Sequence, residues 1–328
     1  MKQLGSLKKT IIVALSVLAV TFGTSSHAAK FPERPITLVV PFTAGGPTDA
    51  LARAIADDMT RTLGQPIVID NKAGGNSIIG TAHVARARPD GYTLLMATAA
   101  GMIMNPLLRN DLPYEVDRDF DLLQIINVNP LMLVTSSSHQ IKSLDDFIKL
   151  SKEQDSKISY ASVGLGSAYQ LAFEALQQVS GIKLNHIPYK GSPPALIDVM
   201  SKTVDVMFDT PSSVMPHVTS GKLRALATSS PTRFPIFPDV PAVAERYPGY
   251  ETVVWSGVVA PKGLPADVRE ALKTAIDKSL KSPKYLQLSK DSGTEPSTPL
   301  SSAELSKFMQ TQQTKWKAVI QRADIKIQ

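Results

Sequence analysis

The sequence predicts an α/β protein built as two lobes with a ligand cleft between them, and three observations carry that prediction. Apolar strand-like runs alternate with amphipathic helical stretches along most of the chain. The alternation restarts near the middle, so the second half repeats the organisation of the first. A glycine-bearing loop also joins strand to helix once in each half, at residues 41–49 and 162–167.

Residues 36–40 read as the first strand, followed by Pro41-Phe42-Thr43-Ala44-Gly45-Gly46-Pro47-Thr48-Asp49 and a helix with Leu51, Ile55, Met59 and Leu63 at four-residue spacing. Gly64 ends that helix. Residues 66–70 form the next strand. Then come the turn Asn71-Lys72-Ala73-Gly74-Gly75-Asn76-Ser77, a helix to about Ala87, and a strand over 92–97. The pattern restarts with a strand at 131–135 and a helix at 144–151. A strand at 158–160 leads to the loop Ser162-Val163-Gly164-Leu165-Gly166-Ser167, and its helix carries Leu171, Ala172, Ala175, Leu176 and Val179 up to Gly181. Strands follow at 184–188, 204–209 and 223–228. The proline-rich segment 231–248 predicts a stiff, extended crossing between lobes. Residues 253–260 read as a strand, Pro265 opens a helix to about Leu280, and Ser301 with Glu304 forms a capping box before the last helix. The pattern points to a mostly parallel sheet in each lobe. Lobe 1 is expected over 29–129 plus 250–328 and lobe 2 over 130–249.

A strand-to-helix loop of this kind has a definite chemistry. The first turn of a helix presents unpaired N–H groups, and the macrodipole adds partial positive charge there, so the natural guest is an anion. Glycine lets the backbone approach the guest, and Pro47 occupies a first-turn position where its missing donor costs nothing. One such loop is ordinary connection chemistry; two in corresponding places suggest one carboxylate or phosphate held from both sides.

The N-terminus predicts export. Lys2, Lys8 and Lys9 precede an apolar stretch over 11–22, too short to span a bilayer, and the small residues Ser26 and Ala28 fit cleavage after Ala28. The expected destination is the periplasm. Losing residues 1–28 lowers the formal charge from +6 to +3, and no basic run with interleaved aromatics appears, so no nucleic-acid partner is expected. There is no cysteine, which excludes disulfides and thiol chemistry.

Several enzyme and cofactor readings fail on the residues. Gly164-Leu165-Gly166-Ser167-Ala168-Tyr169 puts Tyr169 where a dinucleotide fingerprint needs glycine, and no Walker lysine motif is present. His27, His83, His139, His186 and His217 lack metal-ligand spacing, so neither metal nor cofactor is expected. A hydrolase would make Ser167 the nucleophile, His186 or His217 the base and Asp209 the orienting acid, but Val163 or Leu165 stands where the lipase motif needs glycine. Asp49 suits a first-turn helix charge or the orientation of loop amides and waters. Asp209 closes a strand, where open α/β sheets bind ligands, and reads either as a turn cap with Thr210 or as an acceptor for an ammonium, a hydroxyl or a water. Trp255 and Tyr189 are expected in the core or lining the cleft.

The run Phe31-Pro32-Glu33-Arg34-Pro35-Ile36, the loop 41–49, Asn71-Lys72-Ala73-Gly74-Gly75, Pro89-Asp90-Gly91-Tyr92, Asn105-Pro106, Gly166-Ser167 and Pro188-Tyr189-Lys190-Gly191 occur in that order. With 204–209 and Ala260-Pro261-Lys262-Gly263 they extend over essentially the whole mature chain. In series they resemble the substrate-binding proteins of tripartite tricarboxylate transporters, the Bug family. The resemblance implies a two-lobed, type II periplasmic binding fold with two crossings, closing like a Venus flytrap on a small organic acid. It implies ligand contacts from Phe42, Thr43, Ala44, Gly45, Gly46, Thr48 and Asp49 in one lobe. In the other it implies Val163, Gly164, Gly166, Ser167 and Ala168, with Thr98, Ala99 and Asp209 beside them. Gln170 departs from the pattern, because a histidine commonly follows the second loop. The implied protein is a non-enzymatic monomer without cofactor, serving a permease of one large and one small membrane subunit. A sensor using the same cleft for a signalling partner is the alternative, ahead of a periplasmic hydrolase.

Overall fold

The computed structural model describes residues 31–153, 157–189 and 191–323, so the expected leader, 1–28, lies outside the described residues. From Arg34 on the chain forms one compact unit. Its first strands and helices are β1 (Ile36–Val40), α1 (Pro47–Leu63), β2 (Ile67–Asn71), α2 (Ile78–Ala85) and β3 (Thr93–Thr98). A π-helical turn (Ala100–Met104) runs into α3 (Asn105–Leu108), and α4 (Val116–Asp119) leads into β4 (Phe120–Pro130). Then come β5 (Met132–Ser136), α5 (Leu144–Lys152), β6 (Ser159–Ser162), α6 (Ala168–Ser180), β7 (Asn185–Pro188), α7 (Ser192–Met200), β8 (Val206–Asp209), α8 (Pro211–Thr219) and β9 (Leu223–Thr228). The chain closes with α9 (Val243–Arg246), β10 (Val253–Pro261), α10 (Ala266–Ser279), α11 (Pro283–Asp291) and α12 (Ser302–Ala323).

Two sheets follow the same plan. The first has the order β2-β1-β3-β10-β4 and the second β7-β6-β8-β5-β9. In the first, β1 is parallel to β2 and β3, while β10 is antiparallel to both neighbours. In the second, β6 is parallel to β7 and β8, while β5 is antiparallel to both neighbours. The sheets are therefore mixed where mostly parallel ones were expected. The reason is connectivity: β5 and β10 are the strands that have just arrived from the other sheet, and each enters against the local direction.

The chain passes between sheets twice, at Leu131 between β4 and β5 and along the stretch from β9 to β10. Residues 231–248 are not the stiff rod that their prolines suggested. Ala242 makes a parallel bridge to Thr228, and Arg233 forks onto Glu245 at 2.9 and 3.1 Å, so the segment folds back beside the second sheet. The crossing proper lies at Tyr250–Thr252, where Thr252 N–H donates to Ser229 O at 3.0 Å.

Capping chemistry sets the helix ends. Gly64 and Gly181 both stop their helices in the left-handed conformation, each at φ 72°, where only glycine is unstrained. Ser301 and Glu304 form the expected capping box, with Ser301 N–H donating to Glu304 Oε2 at 2.8 Å and Glu304 N–H to Ser301 Oγ at 3.3 Å. The apolar stripe of α1 buries Leu51, Ile55 and Met59, and α6 buries Leu171, Ala172, Ala175 and Leu176. Trp255 lies in the core, 2 % exposed, with Phe308 of α12 edge-on at 5.7 Å.

Candidate functional site

Both glycine-bearing loops stand at the carboxyl ends of parallel strands. β1 delivers the first loop beside the end of β3, so continuing the register of Val39 with Leu95 brings Phe42 level with Thr98. β6 delivers the second loop beside the end of β8, and continuing the register of Ala161 with Met207 brings Val163 level with Asp209. The candidate residues thus gather in two sets: residues 42–49 with Thr98 and Ala99, and 163–168 with Asp209. Ala168 and Leu171 share a buried apolar cluster with Ala99, Met102 and Trp255, so the start of α6 packs against the rim of the first sheet. Tyr169 touches this cluster and both clusters of the second sheet.

The first loop is organised by Asp49, which is 3 % exposed. Its Oδ2 accepts Gly45 N–H and Arg53 Nε–H, each at 2.9 Å, and its Oδ1 accepts Asn71 Nδ2–H at 3.0 Å. The same Asn71 amide donates to Phe42 O at 3.1 Å, tying the loop to the end of β2. The hydrogen bond from Arg53 is the largest influence on this carboxyl; burial opposes it, and Gly45 and Asn71 add to it, holding the group down at about 2. Asp49 therefore shapes the loop, and it also stands in the first turn of α1 as the helix-charge reading expects.

The second loop has a parallel construction. Ser167 caps α6: its Oγ accepts Gln170 N–H at 3.4 Å and donates to Gly164 O at 2.7 Å. Gln170 Oε1 accepts Gly166 N–H at 2.8 Å, and Gln170 is 7 % exposed. Ser162 is fully buried below the loop. Its Oγ accepts Gly164 N–H at 3.1 Å and lies 2.6 Å from His186 Nε2, while the His186 ring stacks on Tyr160 at 4.8 Å. Burial pushes the His186 imidazole down, which favours its neutral form, and the Ser162 hydroxyl also donates to Gly164 O at 3.1 Å. Among the described residues Ser167 bonds neither His186 nor His217: its hydroxyl is turned into the loop, and His186 bonds Ser162.

Asp209 is fully buried, and its Oδ1 accepts Thr210 N–H at 2.7 Å. The hydroxyls of Ser192, Thr210 and Ser213 lie near enough to favour its charged form. Burial outweighs them and pushes the carboxyl up to about 6. Oδ2 reaches no partner with hydrogen-bond geometry. The turn-cap reading thus accounts for one oxygen only. Thr98 Oγ1 is likewise buried and unpartnered.

Sequence reasoning missed several supports of these loops. Arg53 stands four residues after Asp49, a spacing that marks a helical ion pair and could have been read. Asn71 and Ser162 gave no such signal, because their roles depend on neighbouring strands. Gly80 lets α2 press on the first loop: a Cβ there would lie 2.8 Å from Pro41 Cβ and 2.9 Å from Lys72 O. Of the histidines, His139 lies 3.1 Å from Asp205, and no cluster of metal-ligating side chains occurs among the described residues.

Two mixed sheets, two crossings, and paired loops at the parallel strands' carboxyl ends define the class: a two-lobed binding protein of the type II periplasmic fold. Within that class the chain belongs to the family described as tripartite tricarboxylate transporter family receptor, whose model matches residues 51–325. Protein BugT of Bordetella pertussis is 34% identical over 322 residues, covering 95% of this chain and 98% of BugT. The structure of R. palustris Rpa4515 with adipate superposes with a TM-score of 0.82 at 32% identity, over 90% of this chain and 99% of that one. MatC (Rpa3494) from Rhodopseudomonas palustris with bound malate superposes with a TM-score of 0.78 at 30% identity, over 88% and 100%. The family is one of solute-binding receptors, and these two members hold small carboxylates.

Proposed function

We propose that this chain captures a small organic carboxylate between two lobes, 29–129 plus 250–328 and 130–249, and delivers it to a tripartite-type secondary transporter. One observation carries the reading: each lobe presents a helix N-terminus behind a glycine-bearing loop at the same place in its sheet. Loop amides and hydroxyls of residues 42–48 and 163–168 would hold the carboxylate from two sides, with Thr98 and Ala99 completing the wall. Asp209 Oδ2 would accept a hydroxyl, an ammonium or a bound water on the remainder of the ligand. Contacts made to both lobes at once are absent when the lobes part, so binding shifts the population toward the closed form. That closed surface is what a permease of one large and one small membrane subunit would read. The reading needs no cofactor, no turnover and no second copy of the chain, and it places the mature protein in the periplasm after cleavage near Ala28. Adipate and malate in relatives, and the family to which the chain belongs, support it.

A thermal-shift screen of residues 29–328 against organic acids and their methyl esters tests this reading. A ligand that binds only the folded form adds about 2.7 kcal/mol of stability at a hundredfold excess over its dissociation constant. A rise in Tm with an acid and none with its ester supports carboxylate capture; no rise with any acid counts against it. Loss of uptake of that acid in a strain deleted for the receptor supports delivery, and unchanged uptake removes that part of the reading.

A further inference from the structure

The two loops match residue for residue around their helix starts. Gly45 and Gly166 each stand just ahead of an N-cap, at φ 81° and 71°, and the N-caps are Gly46 and Ser167. Four residues after each glycine comes a buried acceptor, Asp49 or Gln170. The glycine N–H donates to that side chain at 2.9 Å in the first loop and 2.8 Å in the second. The same turn is thus built twice, once with a carboxylate and once with an amide.

The difference is one of charge, and Arg53 cancels it. Arg53 Nε–H lies 2.9 Å from the Asp49 carboxylate, and this pair keeps Asp49 ionised with its charge compensated on the spot. Gln170 carries no charge and needs no partner. An unbalanced carboxylate in the first turn of either helix would itself take up the positive end of the dipole and repel an incoming anion. Of the acids near the second loop, Glu174 lies one turn further along α6, held by Tyr160 O–H at 2.8 Å and Gln177 Nε2–H at 2.9 Å. Asp209 sits at the end of β8. Burial raises the carboxyl of both, Asp209 to about 6, so Asp209 carries charge at neutral pH but carries it at the strand end, outside the first turn of α6.

Resting on the carboxylate reading above, we infer that Arg53 and Gln170 are positioning residues that determine selectivity for an anion. They let each loop fix its glycine N–H with a side-chain acceptor while leaving both helix N-termini free of net negative charge. Neither residue touches the ligand. The identity of position 170 as glutamine rather than glutamate is what keeps the second loop open to a carboxylate.

The test is calorimetric titration of malate and adipate, each beside its dimethyl ester, into wild type, R53Q, Q170E and the double variant D49N/R53Q. Circular dichroism checks that each is folded. R53Q and Q170E should each weaken acid binding about tenfold or more, a size that the helix N-terminus effect on a charge can supply. D49N/R53Q rebuilds the first loop with a neutral amide acceptor, as the second loop already has, and should restore most of the affinity that R53Q loses. A merely structural role for Arg53 predicts no recovery, because D49N restores none of the contacts that Arg53 makes and only weakens the bonds from Gly45 and Asn71 to position 49. The inference is overturned if the double variant binds no better than R53Q, or if R53Q and Q170E bind the acids as wild type does. Discrimination of acid from ester by the wild-type protein reports separately on carboxylate capture.

Discussion

Ser229 and Leu131 exchange two hydrogen bonds where the chain crosses between sheets: Leu131 N–H donates to Ser229 Oγ at 2.7 Å and Ser229 N–H to Leu131 O at 2.8 Å. Thr252 N–H donates to Ser229 O at 3.0 Å, and the Ser229 hydroxyl donates to Thr252 O. One fully buried serine therefore joins both crossing segments. Ser229→Ala would leave the Leu131 N–H buried and unpaired, at a cost of about 1–3 kcal/mol. Urea denaturation checks the cost. Because the bond lies at the crossing, ligand affinity should shift as well, whereas an effect confined to local packing would leave it unchanged.

Asp209 makes stability depend on pH in a defined window. Its folded-state carboxyl is pushed up to about 6 from 3.8, so the folded protein holds that proton more tightly than the unfolded chain. The sign follows: this group imposes no penalty below 3.8, and a penalty grows as pH rises from there through 6. At full shift it reaches about 3 kcal/mol. Asp209→Asn should remove that slope. Denaturation midpoints at pH 4 and pH 7 should therefore differ less in the variant than in wild type, and equal differences would refute the assignment.

Gly45 and Gly166 are held at positive φ, and nothing lies within 4 Å of the place where a Gly45 Cβ would stand. Conformation, not space, excludes a side chain there. Gly45→Ala should cost about 1–2 kcal/mol from the left-handed backbone alone, with Tm falling accordingly. Gly45→Asn, which tolerates that region better, should cost less. Equal losses would mean that the loop had changed its path.

His186 supports the second loop through Ser162 rather than acting on a substrate. Burial holds its imidazole below the ordinary value, so its neutral form stabilises the fold above 6.5 and that contribution is lost as pH falls through the folded-state value. His186→Phe keeps an aromatic ring for Tyr160 and removes the ring nitrogen that bonds Ser162. It should weaken ligand binding at neutral pH while losing less stability than wild type on acidification, as read by calorimetry and by urea melts at pH 7.5 and 5.

Much of this architecture was legible because it is local. The stripes of α1 and α6, their glycine stops and the Ser301–Glu304 box depend on residues within a few positions of one another, and the structure places them as read except for Val179, which ends the α6 stripe 45 % exposed. β4 was not legible. Its register with β10 shifts at Ser256/Gly257 and again at Val258/Val259, so the two-residue alternation that marks a strand is interrupted. Gln124 within it is fully buried, and its side chain is satisfied by Asp277 and Leu300 O from far along the chain. The same limit applies to the site. The loops and Asp49 stood out by composition, whereas Asn71, Ser162 and Ser229 act across strands or crossings that only the folded chain brings together. Residues 231–248 misled because their prolines were read as stiffness, while the segment's turns and the Arg233–Glu245 pair decided its path.

Capture as proposed has one carboxylate held by both loops at once, and the decisive measurement is a crystal structure of residues 29–328 with the acid that most raises their Tm. Carboxylate oxygens are expected within hydrogen-bond distance of main-chain N–H groups in residues 42–48 and in residues 163–168, directly or through one water. An acid bound to one loop only, or elsewhere on the protein, would contradict it.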